Sequence, residues 1–128
     1  MIKKIETDLA PAAIGPYSQG MYWNGLIFLS GQIALDPMSG QLVNDNISVE
    51  THQVLKNIQS LLASQSLTMA DVLKCSVFVT NINDFATINE IYAGYFTGDR
   101  PPARELIQVA ALPKNASIEI SVIAVEKN

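Results

Sequence analysis

The clearest pattern in the chain is a pair of apolar, aromatic-rich runs on either side of Asn24-Gly25, within residues 18–32. Asn-Gly between two such runs is the preferred dipeptide of a two-residue type I′ turn, so the pattern predicts a β-hairpin. The next segment, residues 35–43, contains Asp-Pro and Ser-Gly pairs, which are typical of turns. We therefore expect a loop after the hairpin.

Two later segments show the apolar periodicity of amphipathic helices. In the first, Ser48 is the predicted N-cap, and one apolar stripe continues to about residue 65. In the second, the predicted N-cap is Asn83 or Asp84. The residues expected to face inward are Val54, Leu55, Ile58, Leu61 and Leu62 in the first helix, and Phe85, Ile88, Ile91, Tyr92 and Tyr95 in the second.

Valine-rich and other β-branched segments predict further strands at residues 71–81, 103–110 and 117–125. With a strand before the hairpin, the predicted order is strand, hairpin, helix, strand, helix, strand, strand. Each helix is a crossover between strands, and right-handed crossovers that step in one direction lie on the same face of a sheet. Both helices can therefore cover one face.

The last predicted strand is apolar on both sides, which leaves the second face of the sheet without a cover. Alternate residues from Ile118 to Ala124 occupy one side, and the other side still carries Ile123 and Val125. A sheet that is apolar on both faces needs two covering layers, and no further element is predicted. The sequence therefore predicts a homo-oligomer.

Length and composition favour a single globular domain over residues 1–128. Of the 128 residues, 48% are hydrophobic and 16% are charged. The 12 acidic and 8 basic residues give a net charge of −4, and the basic residues are scattered, which argues against nucleic acid binding. No apolar run is long enough for a membrane span, and there is no secretory signal. Together with a single cysteine, these features predict a cytoplasmic protein.

Metal sites and organic cofactors have no recognisable motif in the sequence. His52 is the only histidine and Cys75 is the only cysteine, so a His/Cys metal cluster is excluded. No nucleotide-binding glycine pattern and no nucleophile elbow is found. We interpret Cys75 as a small buried hydrophobic residue and His52 as a residue beside the apolar stripe of the first helix. The sequence predicts neither a metal nor a cofactor.

Two charged residues interrupt the last two strands. Arg104 opens one strand and Glu119 begins the other, and a charge on a packed sheet needs a compensating partner. They could form a salt bridge between neighbouring strands. Alternatively, they could form a site for a small carboxylic acid, in which the planar fork of arginine binds the carboxylate and the glutamate polarises an attacking water. Spacing alone leaves both interpretations open.

Four segments together resemble the reactive intermediate deaminase family (RidA/YjgF): GPYSQ, LSGQ, DVLKCSVFVTNINDFATINEIYAGYF and PPARELIQVAALPKNASIEISVIAV. The resemblance covers nearly the whole chain in the right order. It implies a chorismate-mutase-like α+β domain, in which a mixed β-sheet has two helices packed on one face. It further implies a homotrimer with clefts between its subunits.

The activity implied by this resemblance is hydrolytic deamination without a cofactor. Members of the active branch convert 2-iminopropanoate and 2-iminobutanoate, which are tautomers of 2-aminoacrylate-type enamines, to 2-keto acids and ammonia. This reaction protects enzymes that depend on pyridoxal phosphate. Other relatives are described as regulators or RNA nucleases. The alternative prediction is therefore a non-catalytic trimer that binds a small carboxylate or a partner and regulates it.

The resemblance also implies roles for particular residues of this chain. Arg104 matches the arginine that grips the substrate carboxylate, and Glu119 matches the acid that orients the attacking water. Many bacterial relatives carry a Ser-Cys pair where this chain has Glu105-Leu106. Because side chains alternate along a strand, we expect Leu106 to line the cleft with Arg104 and Glu105 to point away. The other residues that match cleft-lining positions are Tyr17, Ser30, Gly31 and Asn89.

Overall fold

The computed structural model describes residues 1–127 and contains a six-stranded β-sheet and two α-helices. The strands are β1 (Ile2–Ile5), β2 (Gly20–Trp23), β3 (Leu26–Gln32), β4 (Val72–Val79), β5 (Ala103–Gln108) and β6 (Ile118–Val125), and the helices are α1 (Ile47–Ala63) and α2 (Phe85–Tyr95). The strand order is β1-β2-β3-β6-β4-β5. Strands β4 and β5 pair in parallel and the other neighbours pair antiparallel. The predicted α+β class with a mixed sheet is confirmed.

The hairpin of β2 and β3 forms as its turn dipeptide predicts. Asn24 and Gly25 have φ values of 50° and 87°. Both lie in the left-handed region that a type I′ turn requires, which asparagine and glycine adopt at low cost. Trp23 and Leu26 then face each other across the two strands. The hairpin prediction is confirmed.

Both predicted helices form, but their caps differ from the prediction. Asn46 is the N-cap of α1, and its Oδ1 accepts a hydrogen bond of 2.9 Å from the backbone N–H of Val49. The prediction of Ser48 as the N-cap is wrong. Serine and asparagine cap equally well, so the sequence pattern did not determine at which of the two residues the helix begins. Asp84 precedes α2 as predicted but makes no side-chain cap bond. Within residues 1–127, neither helix is long and apolar enough to cross a membrane.

The helices and one face of the sheet enclose a single apolar core. All five inward positions predicted in α1 are completely buried. In α2, only Ile88 and Tyr92 are buried, whereas Ile91 and Tyr95 lie at the margin of the core. Phe85 is 43% exposed, so its predicted burial is wrong. Phe85 is exposed because it begins α2 near Arg104 on the edge strand β5, where little of the sheet remains to cover its ring.

The sheet face opposite the helices is apolar and largely exposed. Trp23 and Phe28 of the hairpin, Ile107 of β5 and Val125 of β6 are each more than one-third exposed. Phe28 and Val125 alternate with buried residues of β3 and β6 and therefore project away from the helices. The strand register places Trp23 and Ile107 on this same face. We call this surface the open face. Exposed apolar residues that lie side by side on neighbouring strands are typical of a surface that contacts another protein.

Candidate active site

A cleft of about 510 Å³ lies between the end of β3, the start of β6 and the segment before β2. Four residues singled out in the sequence line this cleft, namely Tyr17, Ser30, Gly31 and Glu119. Gln19, Gln32 and Lys114 also contribute to its walls. The structure therefore brings together four of the seven predicted site residues. Arg104, Asn89 and Leu106 lie elsewhere.

An irregularity in the pairing of β3 and β6 shapes the cleft. Leu29 pairs with Val122, but Gln32 pairs with Ile120, so β3 has one residue more than β6 over this stretch. This is a β-bulge, a feature that is frequent beside active sites because it redirects side chains. Ser30, within the bulge, donates a hydrogen bond of 2.6 Å from its Oγ to the carbonyl of Ser18. Its lone pairs remain available as acceptors.

Gly31 makes room for the carboxylate of Glu119. A Cβ atom on Gly31 would lie 2.6 Å from Oε2 and 2.8 Å from Cδ of Glu119, closer than real Cβ contacts allow. Glu119 is half-buried and makes no hydrogen bond or ion pair with any described residue. Its burial raises the pKa of Glu119 above the ordinary glutamate value. An unpaired, partly desolvated carboxylate of this kind can accept a proton from water.

We expect Gly31→Ala to abolish catalysis with little loss of stability. The new methyl group would displace the end of the flexible Glu119 side chain instead of the backbone, so the fold can adapt at low cost. The turnover rate and the melting temperature measure the two effects separately. Gly94→Ala on α2 is the matched control because its new Cβ would meet no atom within 4 Å. That control should retain activity and gain about 0.5–1 kcal/mol in the free energy of unfolding. Full activity of Gly31→Ala would contradict the expectation that catalysis depends on the close approach of Glu119 to Gly31.

Tyr17 stands at the mouth of the cleft and is 52% exposed. The loop that carries it is fixed by Gln19, which is only 4% exposed. The Gln19 side chain accepts a hydrogen bond of 2.7 Å from the N–H of Thr7 and donates one of 2.8 Å to the carbonyl of Pro11. Gln19 was not among the residues predicted to line the site. Its position in the segment GPYSQ was the available signal.

Lys114 also lines the cleft and was not among the predicted site residues. Lys114 and Asn115 have φ values of 56° and 62°, which is an uncommon conformation for residues other than glycine. The carboxylate of Glu50, buried in α1, accepts a hydrogen bond of 2.6 Å from the N–H of Ser117 and so anchors the end of this loop. This anchor holds the strained turn in position beside Glu119. Sequence spacing could not have indicated it.

Arg104 lies on the helix side of the sheet. It pairs with Cys75 of β4, and its Nη1 donates a hydrogen bond of 2.7 Å to Oδ1 of Asn89 on α2. Its guanidinium carbon is 4.8 Å from the centre of the Tyr92 ring. Leu106, two residues further along β5, is half-buried and packs against the core on this same side. The structure thus places Asn89 as a partner of Arg104.

Arg104 and Glu119 lie on opposite faces of the sheet. On β4, Arg104 pairs with Cys75, whereas Glu119 pairs with Phe78. Cys75 and Phe78 are an odd number of residues apart, so they and their partners face opposite ways. Strand β4 also separates β5 from β6, which are not neighbours in the sheet. The salt-bridge interpretation is therefore wrong for a single chain.

Glu105 points away from Arg104, onto the open face. It accepts a hydrogen bond from Oγ of Ser76 and lies 3.2 Å from Nζ of Lys74. These interactions lower the pKa of Glu105. Its charge is thereby balanced on the face opposite Arg104.

The remaining candidate groups do not form a reactive cluster. Cys75 is completely buried, and burial raises the pKa of its thiol to about 11, which makes it a poor nucleophile. Nδ1 of His52 lies 2.8 Å from the hydroxyl of Tyr95 at the exposed junction of α1 and α2. Across residues 1–127, no three side chains of His, Cys, Asp or Glu are grouped as metal ligands.

Comparison with known proteins identifies the family. Residues 7–126 match the family model described as endoribonuclease L-PSP, which is the YjgF/RidA family. The chain belongs to this family. Among YjgF/RidA relatives, the 2-iminobutanoate/2-iminopropanoate deaminase of Rattus norvegicus is 49% identical over 124 residues, which span 97% of this chain and 90% of the rat protein. The family resemblance in the sequence is confirmed.

Solved YjgF/RidA structures have the same fold. The Rid family protein YyfA of Yersinia pestis has a TM-score of 0.95 and 47% identity, over 98% of this chain and 99% of that one. TdcF of E. coli, solved with bound serine, has a TM-score of 0.91 and 40% identity, over 98% of this chain and 99% of that one. The two-helix, mixed-sheet architecture is therefore the family fold.

Proposed function

We propose that this protein hydrolyses reactive 2-imino acids to 2-keto acids and ammonia without a cofactor, and thereby protects pyridoxal-phosphate-dependent enzymes in the cytoplasm. The observation that carries this proposal is Glu119, an unpaired, half-buried carboxylate beside Gly31 in a cleft. The deaminase name of the rat relative supports the substrate class. Serine bound to TdcF supports a small ligand that has a carboxylate.

The active site, in this proposal, is completed between subunits of a chorismate-mutase-like homotrimer. The Glu119 side chain lines its cleft on one side of the sheet, and Arg104 lies on the other side, on the edge strand β5. A small acid cannot contact both within one chain. A second subunit that covers the open face would bring its own Arg104 to the Glu119 cleft, and would bury the exposed Trp23 and Phe28.

The proposed chemistry needs little from the protein beyond position and one base. An imine carbon conjugated to a carboxylate is already electrophilic, so holding water in line with it removes much of the entropic barrier. Glu119 takes a proton as the oxygen of water bonds to that carbon, the π electrons of the C=N bond move to nitrogen, and Glu119 returns the proton to nitrogen. The resulting carbinolamine then expels ammonia: its hydroxyl proton passes to nitrogen, the C–N bond breaks, and the oxygen becomes the carbonyl. Arg104 holds the carboxylate throughout.

We expect the protein to sediment as a trimer of about three times the 13.9 kDa chain mass. The expectation follows from the exposed apolar residues of the open face and from the separation of Arg104 and Glu119. Analytical ultracentrifugation at micromolar concentration measures it. A monodisperse monomer would contradict both the assembly and the shared site.

The activity is tested by generating 2-aminoacrylate with a dehydratase and following keto-acid release with and without this protein. Acceleration beyond spontaneous hydrolysis supports the deaminase function. Binding of 2-oxobutanoate with no acceleration would instead support the alternative, a regulatory trimer that binds small carboxylates. An RNA substrate is disfavoured, although the family model carries an endoribonuclease description, because the chain has a net charge of −4.

A further inference from the structure

We infer that Tyr92 is a positioning residue for substrate binding, and that its aromatic ring, not its hydroxyl group, holds the guanidinium of Arg104 in place. The inference rests on the proposed role of Arg104 as the carboxylate clamp. Arg104 lies on the edge strand β5, where a long and flexible side chain keeps one orientation only if neighbouring residues hold it. Fixing such a side chain costs rotamer entropy, which the surrounding contacts must offset.

Asn89 and Tyr92 of α2 make the closest contacts with the guanidinium. Asn89 and Tyr92 are three positions apart and therefore lie on the same side of the helix. The guanidinium carbon is 4.8 Å from the centre of the Tyr92 ring, within the range of a cation–π interaction. The Phe85 ring is more distant, at 5.9 Å, and Phe85 is 43% exposed. Tyr92 is only 7% exposed, so its ring is the more rigid support.

These contacts leave free the part of Arg104 that a carboxylate needs. Asn89 accepts a hydrogen bond of 2.7 Å from Nη1. A guanidinium has five N–H donors, so several remain for a ligand. The guanidinium carbon lies over the Tyr92 ring and Asn89 accepts from Nη1, so the N–H groups that remain can form two parallel hydrogen bonds with a carboxylate.

The hydroxyl group of Tyr92 makes no hydrogen bond with Arg104 or Asn89. It is buried and has no hydrogen-bond partner among residues 1–127. It lies beside the thiol of Cys75, which is at most a weak partner. A buried polar group without a partner is unfavourable for stability. We therefore assign the contact with Arg104 to the aromatic ring of Tyr92.

Two substitutions separate the ring from the hydroxyl. We expect Tyr92→Leu to raise KM for the imine and Kd for 2-oxobutanoate by about tenfold, with a smaller change in kcat. Tyr92→Phe should rescue both constants to within about twofold of wild type and should melt no earlier, because it removes only the unpaired hydroxyl. Tyr92→Met, which fills more of the space with a flexible side chain, replaces the leucine variant if that variant does not fold.

Tyr95→Leu is the matched control. It makes the same substitution one turn along α2, where the tyrosine contacts His52 instead of Arg104. It should leave KM and Kd unchanged. An effect equal to that of Tyr92→Leu would show a general weakening of α2 and would overturn the inference.

A spectroscopic measurement tests the contact without any assay of activity. In wild type and Tyr92→Phe, the Nε–H and Cδ protons of Arg104 should show ring-current shifts that disappear in Tyr92→Leu.

Unchanged KM and Kd in Tyr92→Leu, or a phenylalanine variant as impaired as the leucine variant, would overturn the inference. If wild type neither hydrolyses imines nor binds 2-oxobutanoate, the proposed function fails, and with it the role of Tyr92 in substrate binding. Loss of the tyrosine effect alone leaves the proposed function standing.

Discussion

Replacing Glu119 with glutamine is expected to lower the rate of imine hydrolysis by about 10²–10⁴-fold, the usual contribution of a general base. Glutamine keeps the size of the side chain and can still form hydrogen bonds, but it cannot take a proton from water. Binding of 2-oxobutanoate should persist, because the carboxylate is held by Arg104. A coupled hydrolysis assay and titration calorimetry on both proteins measure the two effects.

The pH dependence gives an independent check on Glu119. Burial raises the pKa of this carboxyl group, so the wild-type rate should fall with decreasing pH already above the ordinary pKa of glutamate. The variant should lack this acid limb. A wild-type acid limb at the ordinary glutamate pKa, or the same limb in the variant, would assign the titration to another group.

Stability should not account for the loss of activity. Because the folded pKa of Glu119 is raised, the folded state binds more protons than the unfolded state between the ordinary and the raised pKa. Stability from this group is present at lower pH and is lost as the pH rises through the folded pKa. At neutral pH the buried charge is unfavourable, so Glu119→Gln should melt no earlier than wild type. Glu90→Gln, an exposed change on α2, is the control and should retain full activity. Full activity of Glu119→Gln would remove Glu119 from the mechanism.

Arg104→Lys is expected to lower kcat/KM by about tenfold or more, although the positive charge is kept. Lysine lacks the planar fork, so it cannot hold a carboxylate with two parallel hydrogen bonds while it also donates to Asn89. The affinity for 2-oxobutanoate should fall together with kcat/KM. Steady-state kinetics and calorimetry measure both.

The assembly and the melting temperature should change little in Arg104→Lys, because the side chain lies half-buried at the sheet edge. Arg100→Lys, in the exposed segment before β5, is the matched control and should behave as wild type. A normal kcat/KM in Arg104→Lys, or a loss explained by unfolding, would leave Arg104 with a structural role only.

The sequence alone predicted most of the secondary structure. The β2–β3 turn depends on Asn24 and Gly25 themselves, whose left-handed φ values are a local property. The α1 stripe depends on a periodicity that repeats within one segment, and its five apolar residues are all buried. The caps were less certain, since Asn46 and Ser48 are equally good capping residues two positions apart.

The site residues were found in the sequence, but their arrangement was not. Ser30, Gly31 and Glu119 meet because a β-bulge adds one residue to β3, and no local pattern marks where a bulge falls. Gln19 and Lys114 were missed because their places in the cleft depend on contacts between their loops and other segments of the chain.

What the sequence by itself determined is the set of chemical groups: a planar cation at Arg104, a carboxylate at Glu119, and an apolar sheet with two helices to cover one face. Only the tertiary structure decided that β4 lies between β5 and β6 and that Arg104 and Glu119 face opposite ways. The physical reason is that side chains alternate along a strand, so the face that a residue occupies depends on strand order and register. Order and register are set by packing between distant segments, which no short stretch of sequence contains.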